Sequence, residues 1–141
     1  MTDEAYIHRC EELGRSAKEN GNPPVGALIV MEDRIISEAE EGGRSKNDIT
    51  CHAEIEAIRV AVNFLHTNDL SDCILYTSHE PCIMCSYVIR FHRIRKVVFL
   101  HKVEYLGGYS SSMALLTGMD VPPSWSKPPE VVCLDNTEEE Q

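Results

Sequence analysis

The sequence predicts a three-layer α/β domain, in which a mixed β-sheet lies between helices. Helical and strand-like segments alternate in the order α-β-β-α-β-α-β, and a short strand follows. The chain has 141 residues, of which 43% are hydrophobic, so it has the length and the apolar content of one domain with one core. We therefore expect residues 1–141 to form a single domain.

The first half of the chain predicts a helix, a β-hairpin and a loop. Apolar residues recur at three- and four-residue spacing over 4–20, which indicates an amphipathic helix, and two consecutive prolines then end it. Two apolar runs joined by a two-residue acidic turn predict the hairpin strands 25–31 and 34–39. The polar segment 40–50 contains two glycines and is interpreted as a loop.

The second half predicts two helices and three strands. Residues 51–65 have an apolar stripe typical of a helix, and Pro81 occupies a favoured first position for a helix that ends near residue 91. The predicted strands are 73–77, 96–100 and 131–134. Residues 113–116 are interpreted as one helical turn, and 135–141 as a solvated acidic tail.

The charge balance of the chain is acidic. Asp and Glu number 23 against 13 Lys and Arg, which gives a net charge of −10. Such a surface repels a phosphate backbone and an anionic bilayer, so binding to nucleic acid or to a membrane is disfavoured. The N-terminus lacks the basic start and apolar run of a signal peptide. We expect a cytoplasmic protein whose cysteines are free thiols or metal ligands.

Three residues with zinc-ligand chemistry, His52, Cys82 and Cys85, lie at the starts of two predicted helices. One helix and one strand separate His52 from the cysteines, which returns the chain to the same end of the sheet. Three protein ligands with an open fourth position are typical of catalytic zinc, whereas structural zinc has four ligands. The positive ends of the two helix dipoles would stabilise the thiolates. The sequence therefore predicts one catalytic zinc ion.

Glu54 is the candidate catalytic residue. Zinc lowers the pKa of a bound water toward ~7, and a carboxylate beside it can accept that proton and deliver it elsewhere. A glutamate also favours the first turn of any helix, so the position of Glu54 alone carries little information. The combination of His-x-Glu with Pro-Cys-x-x-Cys indicates the chemistry.

This combination resembles the signature of the zinc-dependent nucleobase deaminases. The chain resembles the cytidine/deoxycytidylate deaminase superfamily, and within it the branch of guanine, fungal cytosine and tRNA adenosine deaminases, in the segments 24–30, 75–85 and 93–99. The resemblance implies a cytidine-deaminase-like fold with a mixed five-stranded sheet, and a homodimer. It also implies zinc on the three ligands named above and Glu54 as the proton shuttle.

One position departs from that branch. Relatives have an Asn eleven positions before the zinc-binding His, where it hydrogen-bonds the substrate base, and this chain has Glu41 there. Asn offers a donor and an acceptor, whereas an ionised Glu only accepts. If Glu41 faces the pocket, the substrate must present N–H groups to it. The alternative is a loop that exposes Glu41 together with Glu40.

Three further residues are candidates for substrate binding: Ala53, His79 and Tyr109. Ala53 separates a zinc ligand from the proton shuttle, and His79 precedes the second ligand group. Tyr109 lies in the C-terminal third, where related deaminases place a segment that closes over the base. Ordinary packing is the alternative for His79 and Tyr109. Cys51 is interpreted as a packed thiol rather than a fourth ligand.

The leading functional hypothesis is hydrolytic deamination of a free aminated base of the guanine, isocytosine, cytosine, pterin or aminotriazine type. A free base is favoured over a nucleotide because no cluster of Lys and Arg near the motifs could hold a phosphate. A tRNA-specific adenosine deaminase would share the zinc site but needs a basic surface, which the acidic balance disfavours. A catalytically inactive, zinc-stabilised subunit is the third possibility. The presence of Glu54 argues against it, because a structural site does not need a proton shuttle.

Overall fold

The computed structural model describes residues 1–135 and confirms the α/β fold. Its helices are α1 (Asp3–Glu19), α2 (Ala53–Leu65) and α3 (Ile83–Phe91). Its strands are β1 (Gly26–Met31), β2 (Arg34–Glu40), β3 (Cys73–His79), β4 (Lys96–His101) and β5 (Glu130–Cys133). Apart from Asp135, the predicted acidic tail lies outside the described residues. None of the three helices is long and apolar enough to span a membrane.

The five strands form one mixed sheet in the order β2-β1-β3-β4-β5. Strand β1 is antiparallel to β2 and β3, whereas β3, β4 and β5 run parallel. The β1–β2 turn has both central residues, Glu32 and Asp33, at positive φ, as a tight type I′ hairpin requires. Parallel pairing brings the C-terminal ends of β3 and β4 to the same edge of the sheet, and the functional residues lie at this edge.

Helices cover both faces of the sheet, as the three-layer prediction requires. Side chains alternate between the two faces along a strand, so β1 directs Leu28 and Val30 to α1 and directs Ala27 and Ile29 to α2 and α3. Both sets are almost fully buried. The sheet therefore separates two apolar clusters and fixes the starts of α2 and α3 on one side of it.

Both site helices begin slightly later than the sequence predicts. His52 is the N-cap of α2 and Cys82 is the N-cap of α3, each with an extended backbone. Pro81 therefore precedes the helix instead of occupying its first position, which corrects the sequence prediction. A chain that enters a helix through an extended residue can direct that side chain back across the helix start. Two of the predicted zinc ligands occupy these cap positions.

The segment between β4 and β5 consists of turns and loops, so the helical turn predicted for 113–116 is wrong. Within 113–117 the Leu115 N–H donates to the Met113 carbonyl at 2.7 Å and the Thr117 N–H donates to the Ala114 carbonyl at 3.2 Å, which is the pattern of a tight turn. The buried Arg90 guanidinium donates to three carbonyl oxygens of this segment: those of Leu115 (2.8 Å), Leu116 (3.4 Å) and Gly118 (3.0 Å). A helix would need some of these carbonyls for its own hydrogen bonds.

Candidate active site

The three predicted zinc ligands converge where the starts of α2 and α3 meet. His52 Nδ1 lies 3.4 Å from Cys85 Sγ and 3.6 Å from Cys82 Sγ. All three ligand atoms lie within 4.8 Å of one another. In a tetrahedral zinc site with bonds of ~2.0 Å to nitrogen and ~2.3 Å to sulfur, the ligand atoms are separated by roughly 3.6 Å. His52, Cys82 and Cys85 are therefore positioned to bind zinc.

The local electrostatics favour a thiolate at Cys82. Hydrogen bonds from Cys85 and His52 lower the pKa of the Cys82 thiol to about 4. The backbone N–H of Cys85, at the positive end of α3, points at this sulfur with an N···S distance of 3.5 Å. The same interaction with Cys82, together with burial, raises the pKa of Cys85. A bound cation would favour the thiolate form of both cysteines, which is the form that binds zinc.

Glu54 lies in the first turn of α2 and is 3% exposed. Burial raises the pKa of its carboxyl group to about 7. Its Oε1 atom is buried and has no hydrogen-bond partner within residues 1–135. A buried polar atom without a partner costs about 1–3 kcal/mol, so this oxygen is suited to a partner that the chain itself does not provide. This orphaned atom beside the ligand trio fits a metal-dependent site.

A cavity of about 260 Å³ opens beside the ligand trio. It is smaller than the ~300–1,000 Å³ of typical pockets for drug-sized ligands, so it suits a small heterocycle. His52, Glu54 and Cys82 form its inner end. Its other walls are formed by Pro23, Val25, Glu41, His79, Glu80, Val103 and Tyr105.

The structure brings two of the four predicted substrate-binding residues to this cavity. Glu41 lines it and is 6% exposed, so the loop does not expose this side chain to solvent. His79 also lines it. Ala53 is fully buried in the core as the first residue of α2. Tyr109 lies outside the cavity, and its ring packs near Phe99, with 6.0 Å between centroids.

Sequence reasoning missed the residues that build the outer wall of the cavity. Tyr105 and Val103 line the cavity. Both belong to the loop that follows β4, which we call loop 102–110. The buried carboxylate of Glu80 accepts four hydrogen bonds from this loop, donated by the Val103 N–H (3.2 Å), the Tyr109 N–H (2.9 Å), the Ser110 N–H (2.7 Å) and the Ser110 hydroxyl (2.7 Å). Gly107 is the one sequence clue, because a Cβ there would collide with the Glu80 carboxylate.

Replacing Glu80 by Gln is expected to loosen this wall. An amide cannot accept at both positions, so at least one loop N–H loses its acceptor, which costs about 1–3 kcal/mol. We expect faster amide hydrogen exchange in 102–110 and a several-fold higher KM. Glu104→Gln, an exposed change in the same loop, is the control. Unchanged exchange and KM in Glu80→Gln would show that the loop does not depend on this carboxylate.

The fold and the ligand trio together define a zinc-binding domain of the deaminase type. Residues 1–101 match the family model of the cytidine and deoxycytidylate deaminase zinc-binding region. The chain belongs to this family, which confirms the resemblance seen in the sequence.

Relatives within this family are named for different substrates. The tRNA-specific adenosine deaminase of Aquifex aeolicus is 44% identical over 116 residues, which cover 82% of this chain and 77% of that protein. The guanine deaminase of Bacillus subtilis is 40% identical over 100 residues, which cover 70% of this chain and 64% of that protein. A structure from a study of A-to-I editing by tRNA:A34 deaminases superposes with a TM-score of 0.83 at 31% identity, and covers 92% of this chain and 97% of that one. Membership of the family therefore identifies the class of reaction, whereas the substrate differs among its members.

Proposed function

We propose that this protein hydrolyses the exocyclic amine of a free aminated heterocycle. Water adds to the carbon that bears the amine, and the products are the oxo base and ammonia. Suitable substrates are of the guanine, isocytosine, cytosine, pterin or aminotriazine type. Zinc bound by His52, Cys82 and Cys85 would make a water molecule acidic enough to react at neutral pH.

Glu54 would move the protons of this reaction. Its carboxylate lies beside the ligand trio and lines the cavity, so it can reach both the water and the substrate. It would accept a proton from the attacking water and deliver protons to the ring nitrogen and the leaving amine. The unpartnered Oε1 atom supports this role, because it keeps one oxygen available for the transfer.

The observation that favours a free base is the buried Glu41 carboxylate on the cavity wall. Its Oε2 atom accepts from the Gly43 N–H at 3.0 Å, and no donor from residues 1–135 is placed on Oε1. An adenosine within RNA presents only acceptor nitrogens besides its amine, because the sugar replaces the ring N–H at N9. A free base keeps a ring N–H, and several candidates also have a second amine. An acceptor-only carboxylate therefore fits a free base better.

A tRNA-specific adenosine deaminase is the second candidate, and the similarity to such proteins favours it. The charge of this chain argues against it. Phosphate contacts need available cations, whereas the net charge is −10. Near the site, Lys46 and Arg59 both form ion pairs with Glu56, at 2.7 and 2.6 Å. An inactive zinc-stabilised subunit is disfavoured, because Glu54 is retained on an accessible cavity.

Ammonia release from a panel of free bases, compared with inosine formation in bulk tRNA, tests the proposal. We expect turnover of at least one amino base by the zinc-loaded protein and no inosine in tRNA. Inosine formation without turnover of any base would assign the protein to the second candidate. Zinc-loaded protein that is inactive in both assays would support the inactive subunit.

Glu41→Asn is expected to change the order of substrate preference. The amide adds a donor and removes one acceptor site, so guanine, which presents two ring N–H groups, should lose at least about tenfold in kcat/KM relative to adenine and cytosine, which present one each. The neighbouring Glu40→Gln is the matched control, because the Glu40 carboxylate bonds to Ser16 and Asn20 instead of lining this cavity. An unchanged preference order would mean that Glu41 does not contact the base.

We further propose that the protein acts as a cytoplasmic homodimer. The resemblance to the deaminase branch supports this assembly, and α3 exposes two aromatic side chains, Tyr87 and Phe91, which are 52% and 49% accessible. Exposed aromatic residues are common at protein interfaces. Light scattering on the purified protein would give a mass of two chains.

A further inference from the structure

His79 is a cavity residue whose ring has one hydrogen-bonded neighbour. It is the last residue of β3 and lies beside His101, the residue paired with it on β4. The two rings are 4.9 Å apart between centroids and tilted by 46°. The His79 side chain is thus held from one side by a ring and borders the cavity with another part of its surface.

The proton position on His79 follows from its neighbour Ser78, which is fully buried. The Ser78 Oγ atom accepts from the Gly26 N–H at 3.1 Å and lies 2.9 Å from His79 Nδ1. A buried hydroxyl hydrogen needs an acceptor, and within residues 1–135 Nδ1 is the acceptor that this hydroxyl contacts. Ser78 therefore donates to Nδ1, and the neutral imidazole must have its proton on Nε2.

The Nε2–H group of His79 is then an available donor. Among the described residues, no protein acceptor is placed on Nε2. Burial, and secondly the neighbouring His101, lower the pKa of His79, so the ring stays neutral near pH 7. The cavity lining thus contains a residue with an available donor, His79, and a residue with an available acceptor, Glu41.

We propose that His79 is a specificity-determining residue that donates a hydrogen bond from Nε2 to an oxo oxygen of the substrate. The inference rests on the proposed function and narrows its substrate class. A base that presents N–H to Glu41 and C=O to His79 is an amino-oxo heterocycle, such as an aminopyrimidinone or an aminopurinone. An aminated ring without an oxo group leaves the His79 donor without a partner and is rejected.

The test compares bases that differ by the oxo group and by the ring N–H that accompanies it: guanine against 2-aminopurine, and isocytosine against 2-aminopyrimidine. Because Glu41 can accept from that N–H, the His79 variants and not the parent's preference alone decide the role of His79. In the zinc-loaded parent we expect the oxo base of at least one pair to be preferred. In His79→Leu, kcat/KM for that oxo base should fall about 10- to 100-fold. The kcat/KM for the base of the same pair without the oxo group should fall less than about threefold. His79→Gln should restore most of the preference, because its amide can donate from a similar position.

Two further measurements separate recognition from packing. His101→Leu removes the ring that packs on His79 but leaves the donor, so it should keep the parent's preference. Nitrogen-15 spectra of the imidazole should show the proton on Nε2 in the free protein. The inference is overturned if His79→Leu keeps the oxo preference, if His101→Leu loses it equally, or if the proton resides on Nδ1. Parent protein that deaminates none of the four bases or the other candidate bases would overturn the proposed function itself.

Discussion

Glu54→Gln is expected to abolish turnover while zinc content and fold stay unchanged. Gln preserves the size of the side chain but cannot accept a proton from water or return one to the leaving amine. A general acid–base group typically contributes 10²–10⁴-fold, and one that acts in several proton transfers should reach or exceed the upper end of that range. Ammonia release under saturating substrate, with metal analysis of the same sample, measures the effect.

Glu56→Gln is the matched control for this prediction. Glu56 lies in the same first turn of α2, and its carboxylate pairs with Lys46 and Arg59 on the surface. Its loss should leave the fold, and therefore the activity, nearly unchanged, because exposed ion pairs contribute about 0–1 kcal/mol to the free energy of unfolding. Activity of Glu54→Gln within tenfold of the parent would rule out the proposed proton shuttle.

Cys82→Ala is expected to lose both zinc and a large part of the thermal stability. The Cys82 sulfur would supply one of the three ligands and also caps α3. Zinc at roughly a thousandfold above its Kd stabilises a folded state by about 4 kcal/mol, which corresponds to about 10–20 °C in Tm for a domain of this size. Chelation of zinc from the parent should lower its Tm by a similar amount.

Cys51→Ala is the control, because Cys51 adjoins His52 and is buried outside the ligand trio. It should keep a full complement of zinc and lose packing free energy and the hydrogen bond from Arg59 to its sulfur (3.7 Å). A full complement in Cys82→Ala would mean that the ligands are misassigned. Zinc loss in both variants would instead indicate that the site depends on general packing around α2.

The sequence predicts the parts of this protein that depend on local pattern. The helices and strands follow from apolar periodicity, and the zinc ligands follow from short motifs at two helix starts. Those motifs lie at the starts of α2 and α3. The spacing of the motifs along the chain is therefore enough to predict that His52 lies near Cys82 and Cys85. The boundaries were less accurate, since a capping residue and a first helical residue look alike in sequence.

The parts that depend on distant contacts could not be predicted. Tyr105 borders the cavity although it is 77% exposed, and Tyr109 does not border it, because the four hydrogen bonds to Glu80 fix the path of loop 102–110. Similarly, the helical turn expected at 113–116 does not form where Arg90 binds carbonyls of that segment. Neither set of hydrogen bonds can be deduced from the spacing of apolar residues along the chain.

Loop 102–110 is attached to the start of α3 as well as to Glu80. Gly107 pairs with Cys82, the Ile83 N–H donates to the Leu106 carbonyl at 3.0 Å, and the Gly108 N–H donates to the Pro81 carbonyl at 2.8 Å. The reactive groups lie at the starts of two helices anchored in the core. Tyr105 and Glu41 lie on the loops beside them and border the same cavity. A change of the recognition loop during evolution must therefore keep these backbone contacts, because the position of Cys82 depends on them. The same constraint applies to a protein engineer who grafts this loop from a relative.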